Sequence, residues 1–131
     1  MSRDKKDLHP KLVDAYDKAC DEYKRLYPHF PQPFITCTHR TNEEQTNLYL
    51  QGRTAPGKIV TNAKAGQSAH NTYPSSAFDI GMISLDKKLS WDKKYFVKFA
   101  ECITSITSEV ECGCYWKFTD APHFELKGWK A

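Results

Sequence analysis

The chain has 131 residues, of which 40% are hydrophobic and 13% aromatic, and its net charge at pH 7 is +3. These values exclude a disordered chain and predict a single globular domain over residues 1–131, with one two-layer core. No apolar run approaches the roughly 20 residues of a transmembrane helix, and so mild a charge predicts solubility, with no nucleic-acid partner. We therefore expect a monomer without a transmembrane segment.

The N-terminal sequence and the cysteines bear on the compartment. The stretch M-S-R-D-K-K-D is charged and lacks the apolar region of a secretory signal peptide, so export by a signal of its own is not expected. An odd count of five cysteines favours reduced thiols over a disulfide framework. Cys112 and Cys114 form a C-x-C pair without a second pair at metal-binding spacing, and we interpret both as buried or incidental thiols.

Periodicity and capping residues predict the first two helices. Residues 10–27 place apolar side chains at helical spacing and begin with a proline, which suits the first turn of a helix. Thr41 and Glu44 have the spacing of a capping box, which predicts a second helix that reaches about Leu50. Gly52 is the expected stop of this second helix.

The second half of the chain predicts one more helix and several strands. Residues 91–108 carry an apolar stripe at helical spacing, and Ser90 is the expected N-cap. Residues 54–67 are irregular, and so long a loop in a compact domain is often functional. Strands are predicted at Phe34–Thr38, Ser76–Met82, Val110–Phe118 (interrupted by Gly113) and Pro122–Leu126.

One predicted strand carries an unexpected carboxylate. Alternation along this strand puts Ala77 and Asp79 on one face and Phe78 and Ile80 on the other. An acid on a mostly apolar strand is costly in free energy unless it is paired or bound to a metal. Asp79 is therefore the most informative residue of the strand.

Two histidines complete a candidate site. His70 lies in a turn rich in Ser and Asn, and His123 lies in an apolar strand three residues after Asp120. Two imidazoles and one carboxylate commonly hold a catalytic zinc while a fourth position stays open for water, and Asp120 would accept the proton of that water. The residues alone leave a second interpretation open, in which His70 is a surface histidine and His123 a core histidine bonded to Asp120 or Glu125.

Several motifs occur in one order along the chain. The run from Arg40 to Asn71 contains S-x-H at Ser68–His70, A-x-D follows at Ala77–Asp79, and an acid stands three residues before a histidine at Asp120–His123. Together these motifs, which span Thr36–Leu126, closely resemble the M15 metallopeptidases that cleave peptidoglycan. That group includes D-Ala-D-Ala carboxypeptidases and the L-alanyl-D-glutamate endopeptidases that serve as phage endolysins.

The resemblance implies a fold and a set of site residues. The fold would be α+β and hedgehog/D-Ala-D-Ala-peptidase-like, with about three helices around a small antiparallel sheet and a zinc ion (Zn²⁺) at the sheet face. It makes His70, Asp79 and His123 the zinc ligands and Asp120 the general base. It makes Arg40 a catalytic residue that binds substrate or stabilises the oxyanion, and gives Ser68 a supporting hydrogen bond in the substrate-binding part of the site.

The implied function is zinc-dependent hydrolysis of the L-Ala–D-Glu bond in the stem peptide of peptidoglycan, in a phage endolysin. Such a protein is made in the host cytoplasm and acts on the cell wall after release. One alternative is a D,D-carboxypeptidase, which usually needs an export signal. Another is a non-catalytic, zinc-containing wall-binding domain, against which Asp120 argues because a structural site needs no base.

Two departures from the family pattern stand out. The segment N-T-Y-P-S-S between His70 and Asp79 is longer than usual and could reshape the cleft or shift the ligands. Tyr115 stands where the family motif W-G-G-D-W has an acid, so any role of that acid is in doubt here. Neither departure removes a predicted ligand.

Overall fold

The computed structural model describes residues 1–130 and contains three α-helices and five β-strands. This confirms the predicted α+β class. Among these residues, no helix combines the length and the apolarity that a membrane crossing requires. The helices are α1 Pro10–Leu26, α2 Asn42–Leu50 and α3 Lys93–Ile106, and the strands are β1 Gln32–Cys37, β2 Ala77–Ile83, β3 Leu89–Ser90, β4 Val110–Cys112 and β5 His123–Leu126.

The strands form one antiparallel sheet in the order β1-β2-β5-β4, with β3 paired to the end of β2. The register places Asp79 on β2 opposite Cys37 on β1 and opposite His123 on β5. We call these three residues the cross-strand row. Their spacing is set by the pairing of the strands and not by a loop.

An aromatic core fixes which face of the sheet carries this row. Phe78 of β2 stacks on Phe124 of β5 with ring centroids 5.2 Å apart, and Phe99 of α3 meets Phe124 edge-on at 5.3 Å. Each buried aromatic side chain contributes about 1.5–3 kcal/mol to folding. Because successive strand residues point to opposite faces, Asp79 and His123 lie on the face away from α1 and α3.

The first two helices match their predictions. Thr41 Oγ1 accepts a hydrogen bond from the Glu44 N–H at 3.1 Å, and the Thr41 N–H donates to Glu44 Oε1 at 2.9 Å, which completes the capping box. Just beyond α2, Gly52 has a φ of +81°, and a Cβ there would lie 2.6 Å from the nitrogen of Ile59. Both the conformation and the space require glycine.

The third helix starts later than the sequence predicts. Its N-cap is Asp92, whose side chain accepts from the Lys94 N–H at 3.1 Å. The prediction of Ser90 as the cap was wrong, because Ser90 belongs to β3 and pairs there with Met82 of β2. A strand pairing between residues distant in sequence decided this boundary.

The strand predicted at residues 110–118 is also shorter than expected. It ends at Cys112, and residues 113–115 form a 3₁₀ turn. The Gly113 carbonyl accepts from the Asp120 N–H at 2.9 Å, and a Cβ at position 113 would lie 2.1 Å from the Asp120 carbonyl oxygen. Glycine at this position therefore allows the turn that carries Asp120 to lie against the end of β4.

Candidate metal centre and catalytic cleft

The cross-strand row faces a cleft of ≈ 900 Å³. Apolar side chains that include Leu48, Val60, Trp116 and Trp129 form part of its walls. The structure brings every site residue that the sequence predicted into the lining of this one cleft, although the first and the last are 83 residues apart in the sequence. These residues are Arg40, Ser68, His70, Asp79, Asp120 and His123.

His70 is presented by a short 3₁₀ turn, Ala69–Asn71. Ser68 Oγ accepts from the His70 N–H at 3.2 Å and so caps the turn. The His70 ring is 2% exposed, and its Nδ1 lies 2.6 Å from the Thr38 carbonyl oxygen. Because a carbonyl only accepts, Nδ1 carries the proton, and Nε2 faces Asp79 Oδ1 at 3.1 Å.

His123 approaches the same carboxylate oxygen from β5. Its Nδ1 lies 2.9 Å from Asp79 Oδ1, and its Nε2 lies 2.7 Å from Glu125 Oε1. The centroids of the His70 and His123 rings are 5.1 Å apart. Two imidazole nitrogens therefore converge on Asp79 Oδ1, and each ring has its other nitrogen held by an acceptor.

Burial and hydrogen bonding shift the pKa values of all three groups. Burial lowers the pKa of both imidazoles, but hydrogen bonds outweigh it and raise the pKa of His70 and His123 above the usual value. Asp79 supplies the largest of these hydrogen bonds in each case. Burial raises the pKa of Asp79, and the two imidazoles outweigh that effect and hold its pKa below the usual range. The shifts of all three groups thus favour their charged forms.

The donor set and its spacing suit a zinc ion. Tetrahedral zinc binds nitrogen and oxygen at about 2.0–2.1 Å, which puts neighbouring ligand atoms about 3.3 Å apart. The two nitrogen-to-oxygen distances at Asp79 Oδ1 are 3.1 and 2.9 Å, each close to that spacing. Two neutral imidazoles and one carboxylate leave one tetrahedral position open, as catalytic zinc sites require.

Cys37 offers a second possible donor that the sequence did not suggest. Ligand atoms of Cys37, His70 and Asp79 all lie within 4.8 Å of one another, so this group is close enough to hold a metal ion. Cys37 Sγ, however, lies 3.8 Å from His70 Nδ1, the nitrogen that already faces the Thr38 carbonyl. The thiol therefore contacts the nitrogen of His70 that is already engaged, whereas Nε2 faces Asp79 Oδ1.

Asp120 lines the cleft and remains exposed to solvent. Partial burial raises its pKa above the usual value, and Asp79 raises it further, while His123, His70 and Arg40 act in the opposite direction. A carboxylate with a raised pKa beside two histidines is suited to accept and return a proton. The sequence predicted this role for Asp120.

Arg40 is held by a residue that sequence reasoning missed. Arg40 Nη1 donates to Gln45 Oε1 at 2.9 Å, and Gln45 Nε2 donates to the Ala63 carbonyl at 2.8 Å. Gln45 is completely buried, and it joins the guanidinium to the loop at residues 51–67. A lone Gln on a short polar helix gives no sequence signal of this, because both partners come from other elements.

The long segment between His70 and Asp79 lies away from the cleft. None of residues 71–76 belongs to the described lining of the cleft. The Tyr73 hydroxyl donates to Asp7 Oδ1 at 2.8 Å, and the Ser75 N–H donates to the Asp7 carbonyl at 2.7 Å. The additional residues thus pack against the N-terminal 3₁₀ turn, Lys5–Asp7.

The chain is similar to known peptidoglycan endopeptidases. It is 35% identical over 132 aligned positions to the peptidoglycan L-alanyl-D-glutamate endopeptidase CwlK of Bacillus subtilis (strain 168), and the alignment covers 92% of this chain and 74% of CwlK. The crystal structure of the L-Ala D-Glu endopeptidase ChiX of Serratia marcescens matches with a TM-score of 0.65. That match covers 95% of this chain and 86% of ChiX at 21% identity, so it establishes a common fold.

No protein-family model matches the chain, so its classification depends on the relatives. The alignment with CwlK extends over most of both chains. ChiX shows independently that the α+β fold is the same. The chain is therefore a peptidase and belongs to the M15 family, together with the peptidoglycan endopeptidase CwlK.

Proposed function

We propose that this protein is a zinc-dependent endopeptidase that hydrolyses the L-Ala–D-Glu bond of the peptidoglycan stem peptide. The observation that carries the proposal is the convergence of His70 Nε2 and His123 Nδ1 on Asp79 Oδ1, at 3.1 and 2.9 Å, inside an open cleft. The bond is taken from the activities named for CwlK and ChiX.

His70, Asp79 and His123 hold the metal in this proposal. His123 is preferred to Cys37 because its Nδ1 and His70 Nε2 meet at the same oxygen, whereas Cys37 Sγ is near the opposite nitrogen of His70. When bound, zinc supplies a Lewis acid for the scissile carbonyl and lowers the pKa of a water molecule. Ser68 keeps His70 in place through the cap of its turn.

Asp120 and Arg40 act on the substrate. Asp120 accepts a proton at its carboxylate and returns it to the leaving amine nitrogen, which its raised pKa favours. The Arg40 guanidinium, oriented by Gln45, binds a carboxylate or carbonyl group of the stem peptide. The presence of Asp120 favours a catalytic function over the non-catalytic wall-binding alternative, because a structural zinc site needs no base.

We place this activity in a phage endolysin, as the M15 resemblance implies. The enzyme would be made in the host cytoplasm and act as a monomer on the cell wall after release. Expression in bacteria should leave the cells intact until the inner membrane is permeabilised, and then cause lysis. Lysis that is equally fast with an Asp120→Asn variant would contradict this role.

The direct test is mass spectrometry of purified peptidoglycan after incubation with the protein, with and without a chelator. We expect new D-Glu amino termini, their loss with the chelator, and their return when zinc is added back. Release of free D-Ala would assign the protein to the D,D-carboxypeptidases. If peptidoglycan stays unchanged after incubation with folded, zinc-loaded protein, the result would favour the wall-binding alternative.

Replacing the buried Gln45 with Leu should raise KM about tenfold, because Arg40 loses a hydrogen bond that orients its charge. The matched control is Gln51→Leu. Gln51 Nε2 donates to the Lys58 carbonyl at 3.0 Å and so stabilises the same loop without contacting Arg40. Equal changes in KM for the two variants would show that the loop, and not Arg40, is affected.

Zinc affinity should rise with pH up to the raised pKa values of His123 and His70, about 9 and about 10. In the metal-free protein the pKa values of His70 and His123 are raised, so both rings hold protons below those values, and zinc must displace them. Calorimetry in two buffers of different ionisation enthalpy measures this proton release. A His29→Asn variant, altered at an exposed histidine, should behave like the wild type. An affinity independent of pH would contradict the raised pKa values.

A further inference from the structure

The His123 ring has both nitrogens engaged. Its Nδ1 faces Asp79 Oδ1 at 2.9 Å, and its Nε2 faces Glu125 Oε1 at 2.7 Å. The His123 side chain is only 9% exposed, so water contributes little to its hydrogen bonding. The metal position proposed above requires a free lone pair on Nδ1, and the neutral ring must then carry its proton on Nε2.

Glu125 is itself held from the other side. Its second oxygen, Oε2, accepts a hydrogen bond from Trp129 Nε1 at 2.9 Å. Trp129 lies four residues later, in the turn that follows β5, and lines the same cleft. An ionised carboxylate is an acceptor at both oxygens, while the indole N–H is only a donor. In the hydrogen-bonded series Trp129–Glu125–His123, the indole therefore donates, the carboxylate accepts at both oxygens, and His123 Nε2–H donates.

We propose that Glu125 is a positioning residue that selects the metal-binding tautomer of His123, and that Trp129 fixes the orientation in which Glu125 does so. Glu125 accepts from Nε2–H and leaves Nδ1 free for the ion. A carboxylate that orients a metal-bound histidine typically changes metal affinity by about 10- to 100-fold. The inference rests on the proposed metal site at His123 and gives a role to Glu125 and Trp129, which are not metal ligands.

The hydrogen bond from Trp129 predicts how a Glu125→Gln substitution would act. Glutamine has the same length as glutamate, but it offers one acceptor oxygen and one NH₂ donor. Trp129 Nε1–H takes the oxygen, so the NH₂ group faces His123 Nε2. That nitrogen must then accept, the ring proton moves to Nδ1, and Nδ1 no longer binds a metal.

Removing the indole N–H should reverse this effect. In a Glu125→Gln/Trp129→Phe double variant, the amide is free to rotate and return its oxygen to His123 Nε2–H. Trp129→Phe alone leaves Glu125 able to accept from His123, so it should weaken zinc binding less than Glu125→Gln does. A residue that merely supports the fold would give additive losses and no recovery.

The test is a zinc-affinity titration against a chromophoric chelator for the wild type, Glu125→Gln, Trp129→Phe and the double variant. We expect Glu125→Gln to bind zinc about 10- to 100-fold more weakly, and the double variant to recover most of that loss. Circular dichroism of each metal-free variant verifies the fold. In the zinc-loaded wild type, NMR of the ring nitrogens should place the His123 proton on Nε2.

Either of two results would overturn the inference: wild-type affinity in Glu125→Gln, or a double variant that binds zinc no better than Glu125→Gln. Failure of the underlying proposal looks different. In that case the wild-type protein itself binds no zinc, or His123→Ala binds zinc as tightly as the wild type. The two failures are therefore distinguished within one set of titrations.

Discussion

Asp120→Asn should lower the kcat for peptidoglycan hydrolysis by about 10²- to 10⁴-fold while zinc remains bound. The amide keeps the shape of the side chain but does not accept a proton. The backbone of Asp120 holds the local turn, through its N–H to Gly113 at 2.9 Å and its carbonyl to the His123 N–H at 3.1 Å. The substitution changes neither bond, so the ligands keep their places.

The measurement is kcat together with zinc content by metal analysis. Glu101→Gln is the matched control, since Glu101 is an exposed carboxylate on α3 that pairs only weakly with Lys98, at 3.7 Å. The control should retain the wild-type rate. Wild-type kcat in Asp120→Asn would remove Asp120 from the mechanism, and loss of zinc in that variant would make Asp120 a part of the metal site.

Asp79→Asn should abolish activity through loss of zinc, with an affinity more than about 100-fold weaker than that of the wild type. Its carboxylate oxygen contacts both imidazoles, so removing the charge affects every ligand at once. The metal-free protein should also lose about 3 kcal/mol of unfolding free energy, because two buried cations lose their counter-ion. This loss should shrink as the pH rises and the imidazoles release their protons.

Cys37→Ser provides the control for Asp79→Asn. Cys37 is the cross-strand partner of Asp79, it is buried, and it belongs to the alternative donor set. Zinc content and thermal unfolding should be measured for both variants. If Cys37→Ser loses zinc as Asp79→Asn does, the metal is held by the thiol, and the choice of His123 as the third ligand is wrong.

The local parts of the fold were predictable from the sequence. The Thr41 and Glu44 capping box forms as predicted, because its partners are three residues apart and need no tertiary contact. Alternation along β2 assigned Asp79 and Phe78 to the correct faces for the same reason. The start of α3 was misplaced, because the pairing of Ser90 with Met82 depends on a neighbouring strand.

The candidate site depended on resemblance and not on spacing. His70 and Asp79 are nine residues apart and Asp79 and His123 are 44 apart, which matches no short metal-binding motif. Of the supporting residues, Gln45 gave no signal of its own, whereas Glu125 was predicted only as one possible carboxylate partner of a core His123. Gln45 lies on a helix with a polar sequence, and the role of Glu125 appears only when Trp129 and His123 are seen on either side of it.

The cross-strand row also bears on the folding stability of the protein. All five cysteines are free within residues 1–130, so no covalent bond joins distant parts of this segment. An ion shared by Asp79 and His123 would clamp β2 to β5 across 44 positions of chain, and it would act as a reversible cross-link. Because such an ion binds the folded chain, its binding free energy adds to folding stability in proportion to the logarithm of its concentration. Resistance to heat and to proteases should therefore increase with the concentration of free metal ion in the surroundings.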